Sequence, residues 1–153
     1  MAKTKNDLPR LVLYFDGACG PKNPGGNIGC GWYVTYRGFP KERLFEGYHF
    51  VPSSPAHSNN VAEYMALCLG LEDIINRGYG EHPLSVVGDS QLVIEQMDGE
   101  WHIGNGLYRE HALKAQELVK SFWDISFRHV PRAWNTGADE LSKKGFVEMG
   151  MKV

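Results

Sequence analysis

Strand-like patterns come first along the chain. Residues 11–15 are an unbroken apolar run, which predicts a strand buried on both faces. We expect this strand to end at Asp16, before a turn-rich stretch over residues 17–27. Residues 29–37 and 44–51 are rich in aromatic residues and valine. Together the three segments predict an antiparallel meander.

Helical spacing begins after this meander. The apolar positions predict a helix from Asn60 to about Asn76, with Gly78 as its stop. Further patterns predict a strand over 84–88, helices over 91–97 and 107–120, a strand over 124–130 and a helix over 137–149. This order predicts an α/β fold with a five-stranded mixed sheet, three antiparallel strands then two parallel, flanked by helices on both faces.

The chain has the size and composition of one globular domain. Its 153 residues are 42% hydrophobic and 22% charged. We predict a single domain over residues 10–149, with a polar N-terminal tail over 1–9 and a C-terminal tail over 150–153.

Charge and cysteine usage narrow the class of protein. The net charge of -2 does not by itself indicate a nucleic-acid binder. No apolar run approaches the roughly 18 residues of a membrane span, and no secretory signal is visible. The three cysteines lack the spacing of a zinc site or a disulfide framework. We therefore expect reduced thiols and a cytoplasmic location.

Four acidic residues stand out by their positions: Asp16, Glu63, Asp89 and Asp139. Two follow buried strands and two lie in the first turns of helices, so they are expected to converge at one end of the sheet. Carboxylates gathered without basic partners repel one another unless a cation lies between them. Oxygen ligands favour Mg²⁺ or Mn²⁺ over zinc, and two such ions commonly serve phosphodiester cleavage.

Each acid also has an ordinary structural alternative. Asp16 suits a turn, and Asp89 suits a helix cap. Glu63 and Asp139 each lie three residues after a polar residue, which is the spacing of a capping box. The residues alone leave both alternatives open.

The local motifs resemble those of type 1 ribonuclease H from about Leu11 to Phe146. In family order they are Asp16-Gly17-Ala18-Cys19 followed by Asn23-Pro24-Gly25-Gly26, then Asn59-Asn60-Val61-Ala62-Glu63, Gly88-Asp89-Ser90-Gln91 and Asn135-x-x-Ala138-Asp139-Glu140-Leu141. The resemblance implies a ribonuclease H-like fold. It also implies an endonuclease that cuts the RNA strand of RNA–DNA hybrids and leaves 3′-hydroxyl and 5′-phosphate ends.

The resemblance also implies roles for individual residues. The four acids would bind two Mg²⁺ ions, with Mn²⁺ as a possible substitute. Asn23, Asn59 and Gln91 would contact the RNA strand, where 2′-hydroxyls distinguish RNA from DNA. Ser58 and Asn60 would hold a phosphate or base edge of the DNA strand. No protein partner is implied, and a monomer is expected.

Two segments depart from the family pattern. Many members carry a basic, Trp-rich helical protrusion after the Asp-Ser-Gln helix, whereas residues 98–107 are short and not basic, so we expect no protrusion. Trp101 either lies against the DNA backbone or packs within the protein. The loop before the last acid offers both His129 and Arg132 for a catalytic role. We favour Arg132, because His129 ends a strand and could be held by packing.

Three competing functions are weighed against this interpretation. A catalytically weak hybrid-binding module would gain nothing from pooled negative charge. Another metal-dependent nuclease of the same fold would not need the contacts to 2′-hydroxyls that the motifs imply. A dinucleotide-binding domain is disfavoured, because no GxGxxG follows a strand and opens a helix.

Overall fold

A computed structural model describes residues 7–151 of the chain. The predicted tails lie partly outside this range, at residues 1–6 and 152–153. The strands are β1 (Leu11–Gly20), β2 (Asn27–Tyr36), β3 (Arg43–Val51), β4 (Leu84–Gly88) and β5 (Ile125–His129). The helices are α1 (Asn59–Asn76), α2 (Gln91–Met97), α3 (Arg109–Val119) and α4 (Thr136–Glu148), with a short 3-10 turn over Arg132–Trp134 before α4.

The five strands form one mixed sheet in the order β3-β2-β1-β4-β5. The first three strands pair antiparallel. β4 and β5 extend the sheet from β1 by parallel pairing. The predicted fold class is therefore confirmed.

Helices cover both faces of the sheet, as predicted. Leu11, Leu13 and Phe15 of β1 belong to the main core, together with apolar residues of α1, α2 and α3. The intervening side chains Val12 and Tyr14 lie on the opposite face, where Tyr14 also packs against residues of α4. Successive side chains of β1 thus point to opposite faces of the sheet, and helices pack against each face.

The first strand is longer than the sequence predicts. β1 does not end at Asp16 but continues to Gly20, because its second half still pairs with β2. Its pairing with β4 stops at Tyr14. Asp16 is therefore an interior strand residue at the place where the neighbouring parallel strand ends. The expected strand end at Asp16 is wrong, and so is the alternative of a turn residue.

Serines cap α1 and α2, the two helices for which Glu63 and Asp89 were the alternative capping residues. Ser58 Oγ accepts from the amide of Val61 at the start of α1. Ser90 Oγ accepts from the amide of Val93 at the start of α2. At the end of α1, Gly78 has a φ of +86°, which fits its predicted role as a stop.

The segment between α2 and α3 contains no helix over residues 98–108. The expectation that the chain lacks a helical protrusion here is confirmed. Within the part of the chain that the structure describes, no helix combines the length and the apolar character needed to cross a membrane.

Glycines in β2 allow α4 to pack directly on the strand backbone. A Cβ built at Gly31 would lie 2.6 Å from the carbonyl oxygen of Ala138 and would also overlap the amide of Ser142. Gly29 faces Ser142 in the same way. Since Gly31 pairs with Asp16 across the sheet, this close packing brings the first turn of α4 over the strand that carries Asp16.

We predict that Gly31→Ala destabilises the fold by about 1–3 kcal/mol, the usual cost of overpacking. The new methyl group would meet helix backbone, which cannot move aside as a flexible side chain can. Urea denaturation measures the effect. Gly20→Ala is the matched control, since a Cβ at Gly20 meets nothing within 4 Å and should change stability by less than about 0.5 kcal/mol. Equal stability of the two variants would contradict the packing argument.

Candidate active site

Asp16 is the central acidic residue of the site. Strand alternation places it on the α4 side of the sheet, and only 4% of its surface is exposed. Asp89 follows the last residue of β4, so it lies where the pairing of β1 with β4 has ended. The buried side chain of Asn135 joins the two strands. Its Nδ2 donates to the Phe15 carbonyl at 2.9 Å and to Asp89 Oδ1 at 3.3 Å.

Glu63 comes from α1, on the opposite side of the sheet from α4. Its Oε2 accepts from the amide of Gly17 at 3.2 Å. A Cβ at Gly17 would overlap the carbonyl of Ala62. The absence of a side chain at Gly17 therefore allows the first turns of α1 to lie against β1 and brings Glu63 beside Asp16.

Three of the four predicted acids form a tight group. Asp16, Glu63 and Asp89 each offer one carboxylate oxygen, and these oxygens all lie within 4.8 Å of one another. Asp139 adds to the negative charge around Asp16, but it is outside this group of three. The structure therefore brings three of the four predicted acids into one tight group and leaves Asp139 outside it.

Asp139 also has a basic partner, contrary to our expectation that the acids would have none. Lys143 Nζ lies 3.1 Å from Asp139 Oδ2. The two residues are one helical turn apart on α4, where oppositely charged side chains come together. The expected absence of basic partners is thus wrong at Asp139.

The electrostatics of the group are those of crowded, buried carboxylates. Burial, followed by the negative charge of Asp89, raises the pKa of Asp16, and Asp139 adds to the effect. Burial, followed by the charges of Asp16 and Asp89, raises the pKa of Glu63 well above its usual value. Both shifts arise because the ionised forms are poorly solvated and repel one another.

The donor set suits a hard divalent cation. The group of three offers only carboxylate oxygens, and neither a cysteine sulfur nor a histidine nitrogen belongs to it. Such ligands fit Mg²⁺ or Mn²⁺ better than zinc. A cation among these oxygens would also offset the repulsion that raises the pKa values of Asp16 and Glu63.

The capping alternatives for the acids are not supported. Ser58 and Ser90, rather than Glu63 or Asp89, supply the side-chain caps of α1 and α2. α4 begins without a side-chain cap. Ordinary helix capping therefore does not account for the positions of these carboxylates.

Two of the predicted RNA-contacting residues tie the β1–β2 turn to the start of α1. Asn23 Oδ1 accepts from the amide of Asn59 at 3.0 Å. Asn59 Oδ1 accepts from the amide of Cys19 at 2.9 Å. Both side chains use their oxygen inside the protein. Among residues 7–151, neither amide nitrogen donates to a protein partner.

The other predicted substrate contacts lie on the surface near these elements. Gln91 opens α2 and Asn60 lies in the first turn of α1, and both are exposed. Ser58 is the half-buried cap of α1. Trp101 is 43% exposed and lines an open groove of about 570 Å³ together with Arg109. The Trp101 ring is therefore only partly buried, and its place against the DNA backbone stays a prediction.

The loop residues differ in their surroundings. His129 is the last residue of β5 and is exposed, with its Nε2 3.3 Å from the carbonyl oxygen of Asp89. Its constraint is thus a polar contact rather than the packing that we expected. Arg132 opens the 3-10 turn and is exposed. Its guanidinium makes no hydrogen bond or ion pair with any residue in the described part of the chain.

Two residues of the site were not predicted. Asn135 belongs to the last motif, but no contact was expected of it, because sequence does not show that its side chain bridges two strands. Lys143 could have been found, since its spacing from Asp139 on a predicted helix indicates an ion pair.

Comparison with known proteins agrees with this geometry. The model of the reverse transcriptase-like family matches residues 43–145. Ribonuclease HI of Halobacterium salinarum is 36% identical over 135 residues, which cover 88% of this chain and 63% of that protein. The bifunctional protein Rv2228c of Mycobacterium tuberculosis is 42% identical over 85 residues, 56% of this chain and 23% of that protein. The chain thus spans less than two thirds of the length of either relative.

Solved structures of these two relatives and of a third protein superpose over nearly the whole chain. RNase H1 from Halobacterium salinarum has a TM-score of 0.79 at 33% identity, covering 91% of this chain and 98% of that one. The N-terminal RNase H domain of Rv2228c has a TM-score of 0.81 at 31% identity, covering 93% and 96%. LC11-RNase H1, in complex with an RNA/DNA hybrid, has a TM-score of 0.78 at 27% identity, covering 91% and 98%. The chain belongs to the type 1 ribonuclease H family.

Proposed function

We propose that the protein is an endonuclease that hydrolyses the RNA strand of RNA–DNA hybrids and leaves 3′-hydroxyl and 5′-phosphate ends. The observation that carries this proposal is the group of three carboxylates, Asp16, Glu63 and Asp89, with oxygens within 4.8 Å of one another. The hybrid bound to LC11-RNase H1, a structural neighbour, supports the choice of substrate.

Two Mg²⁺ ions are the proposed cofactors, held by the group of three together with Asp139. When bound, such ions activate water and neutralise charge on the leaving oxygen. The protein's own contribution is to hold the ligands at one place. Asn135 fixes Asp89 against β1, and the Gly17 amide fixes Glu63. Mn²⁺ has the same preference for oxygen ligands and is a possible substitute.

Recognition of RNA is assigned to amide side chains beside the acids. Because Asn23 and Asn59 accept through their oxygens within the protein, their NH₂ groups can donate to 2′-hydroxyls of the RNA strand. Gln91, exposed at the start of α2, would add a third such contact. Ser58 and Asn60 are proposed to contact the DNA strand, and Trp101 with its exposed ring is proposed to lie against the DNA backbone.

The proposed enzyme acts as a cytoplasmic monomer. All four acids come from one chain, which supports a site complete in a single subunit. The unpaired thiols of Cys19, Cys30 and Cys68 support a reducing location.

Cleavage of labelled duplexes tests the proposed function. We expect Mg²⁺-dependent cutting of an RNA–DNA hybrid, and no cutting of RNA duplex, DNA duplex or single-stranded RNA. Asp89→Asn should lower the rate at least roughly a hundredfold, about 2.7 kcal/mol of barrier, since it removes a ligand. Asp98→Asn, the same change at the end of α2, should stay within about twofold. Hybrid binding without cleavage by the wild type would instead favour a binding module, and cutting of DNA duplex would favour another nuclease.

Melting temperatures test the crowding of the carboxylates. The pKa values of Asp16 and Glu63 are raised in the folded state, so the folded protein holds more protons than the unfolded chain once the pH exceeds about 4. Stability from these groups is therefore lost as the pH rises through the raised pKa values. With EDTA, we expect Asp16→Asn to melt above the wild type at pH 8 and near it at pH 4.

Mg²⁺ supplies the complementary measurement. It should raise the melting temperature of the wild type at pH 8, since a ligand that binds only the folded state stabilises it, and should raise that of Asp16→Asn less. Asp98→Asn is again the control and should follow the wild type throughout. Identical midpoints for all three proteins at both pH values would contradict an electrostatically strained site.

Turnover across pH 5.5–9 separates the two loop residues. We propose Arg132 for the role near the leaving group, because its guanidinium stays charged and has no partner within residues 7–151. The His129 ring already contacts the Asp89 carbonyl. Arg132→Ala should then lower turnover more than His129→Ala and leave the shape of the pH profile unchanged. A large defect confined to His129→Ala, with a changed profile, would instead identify a histidine proton carrier.

A further inference from the structure

Lys143 is a basic residue that contacts one of the four acids, Asp139. Its ammonium lies 3.1 Å from Asp139 Oδ2, and the two side chains are 39% and 22% exposed. Among residues 7–151, no other Lys, Arg or His forms an ion pair with any of the four acids. This contact is partly sheltered from solvent, so it is screened less than a fully exposed surface pair.

The acid in this ion pair, Asp139, is the one of the four that lies outside the group of three. Asp139 contributes to the negative charge around Asp16, and its Oδ2 accepts from Lys143 Nζ. Its carboxylate is thus shared between the acidic group and a fixed positive charge. A divalent cation that takes Asp139 as a ligand would need the same electron-rich oxygens and would repel the ammonium.

We propose that Lys143 is a positioning residue that competes with a divalent cation for Asp139 and so sets the cation concentration at which this fourth carboxylate joins the other three. The inference rests on the proposed function of the site as a metal centre. Without Lys143, the carboxylate of Asp139 loses its competing partner, and cation binding becomes tighter.

Lys144 provides a matched control on the same helix. Its Nζ lies 4.8 Å from the centre of the Tyr48 ring, and it forms no hydrogen bond or ion pair with Asp139. Lys143→Met and Lys144→Met remove the same charge one residue apart. A long-range effect of net charge would move both variants alike, whereas competition for Asp139 affects only the first.

Isothermal titration of the whole protein with Mg²⁺, and separately with Mn²⁺, tests the proposal without substrate. We expect Lys143→Met to tighten cation binding about fivefold, or about 1 kcal/mol, and Lys144→Met to change it less than twofold. Lys143→Arg, which keeps the charge, should bind like the wild type. Lys143→Gln serves as a second neutral variant if the methionine disturbs folding, which circular dichroism reports.

Activity supplies the second measurement. The Mg²⁺ concentration for half-maximal hybrid cleavage should fall in Lys143→Met by a factor similar to that in the titration. Equal affinities for Lys143→Met and Lys144→Met, or weaker binding by Lys143→Met, would overturn the competition. If the wild type cleaves no hybrid at any Mg²⁺ concentration, the proposed nuclease function fails, while the titration still decides the role of Lys143.

Discussion

Repulsion between crowded carboxylates is the constraint on which this structure depends. Asp16, Glu63 and Asp89 place oxygens within 4.8 Å of one another, although each would be better solvated apart. The rest of the fold must hold them together against this repulsion. Such stored electrostatic strain is typical of functional sites, where stability is exchanged for a prearranged binding geometry.

Close packing of helix backbone against the sheet holds the carboxylates together despite this repulsion. Gly17 admits the first turns of α1 on one side of the sheet, and Gly31 admits α4 on the other. The buried amide of Asn135 then joins Asp89 to β1. Each contact requires either the absence of a Cβ or a single amide side chain, so small substitutions at these positions should loosen the site before they unfold the protein.

The sequence predicted the element order and the sheet because hydrophobic periodicity reports directly which faces are buried. It placed the end of β1 at Asp16, since apolar residues stop there, whereas pairing with β2 carries the strand to Gly20. From the ends of the predicted strands and helices, it also predicted that the four acids lie in one region. It did not separate Asp139 from the other three, because the ends of strands and helices place side chains in one region without giving the distances between their carboxylate oxygens.

The early end of β4 has a consequence for association between molecules. Among residues 7–151, no strand pairs with β1 beyond Tyr14 on the β4 side, and an open strand edge of this kind invites pairing with another chain. Here the amides of Gly17 and Cys19 donate instead to the side chains of Glu63 and Asn59 on α1. Side chains of α1 thus occupy the backbone amides that another strand would otherwise bind at this edge. The residues that we propose as a metal ligand and as an RNA contact would at the same time protect the protein from aggregation.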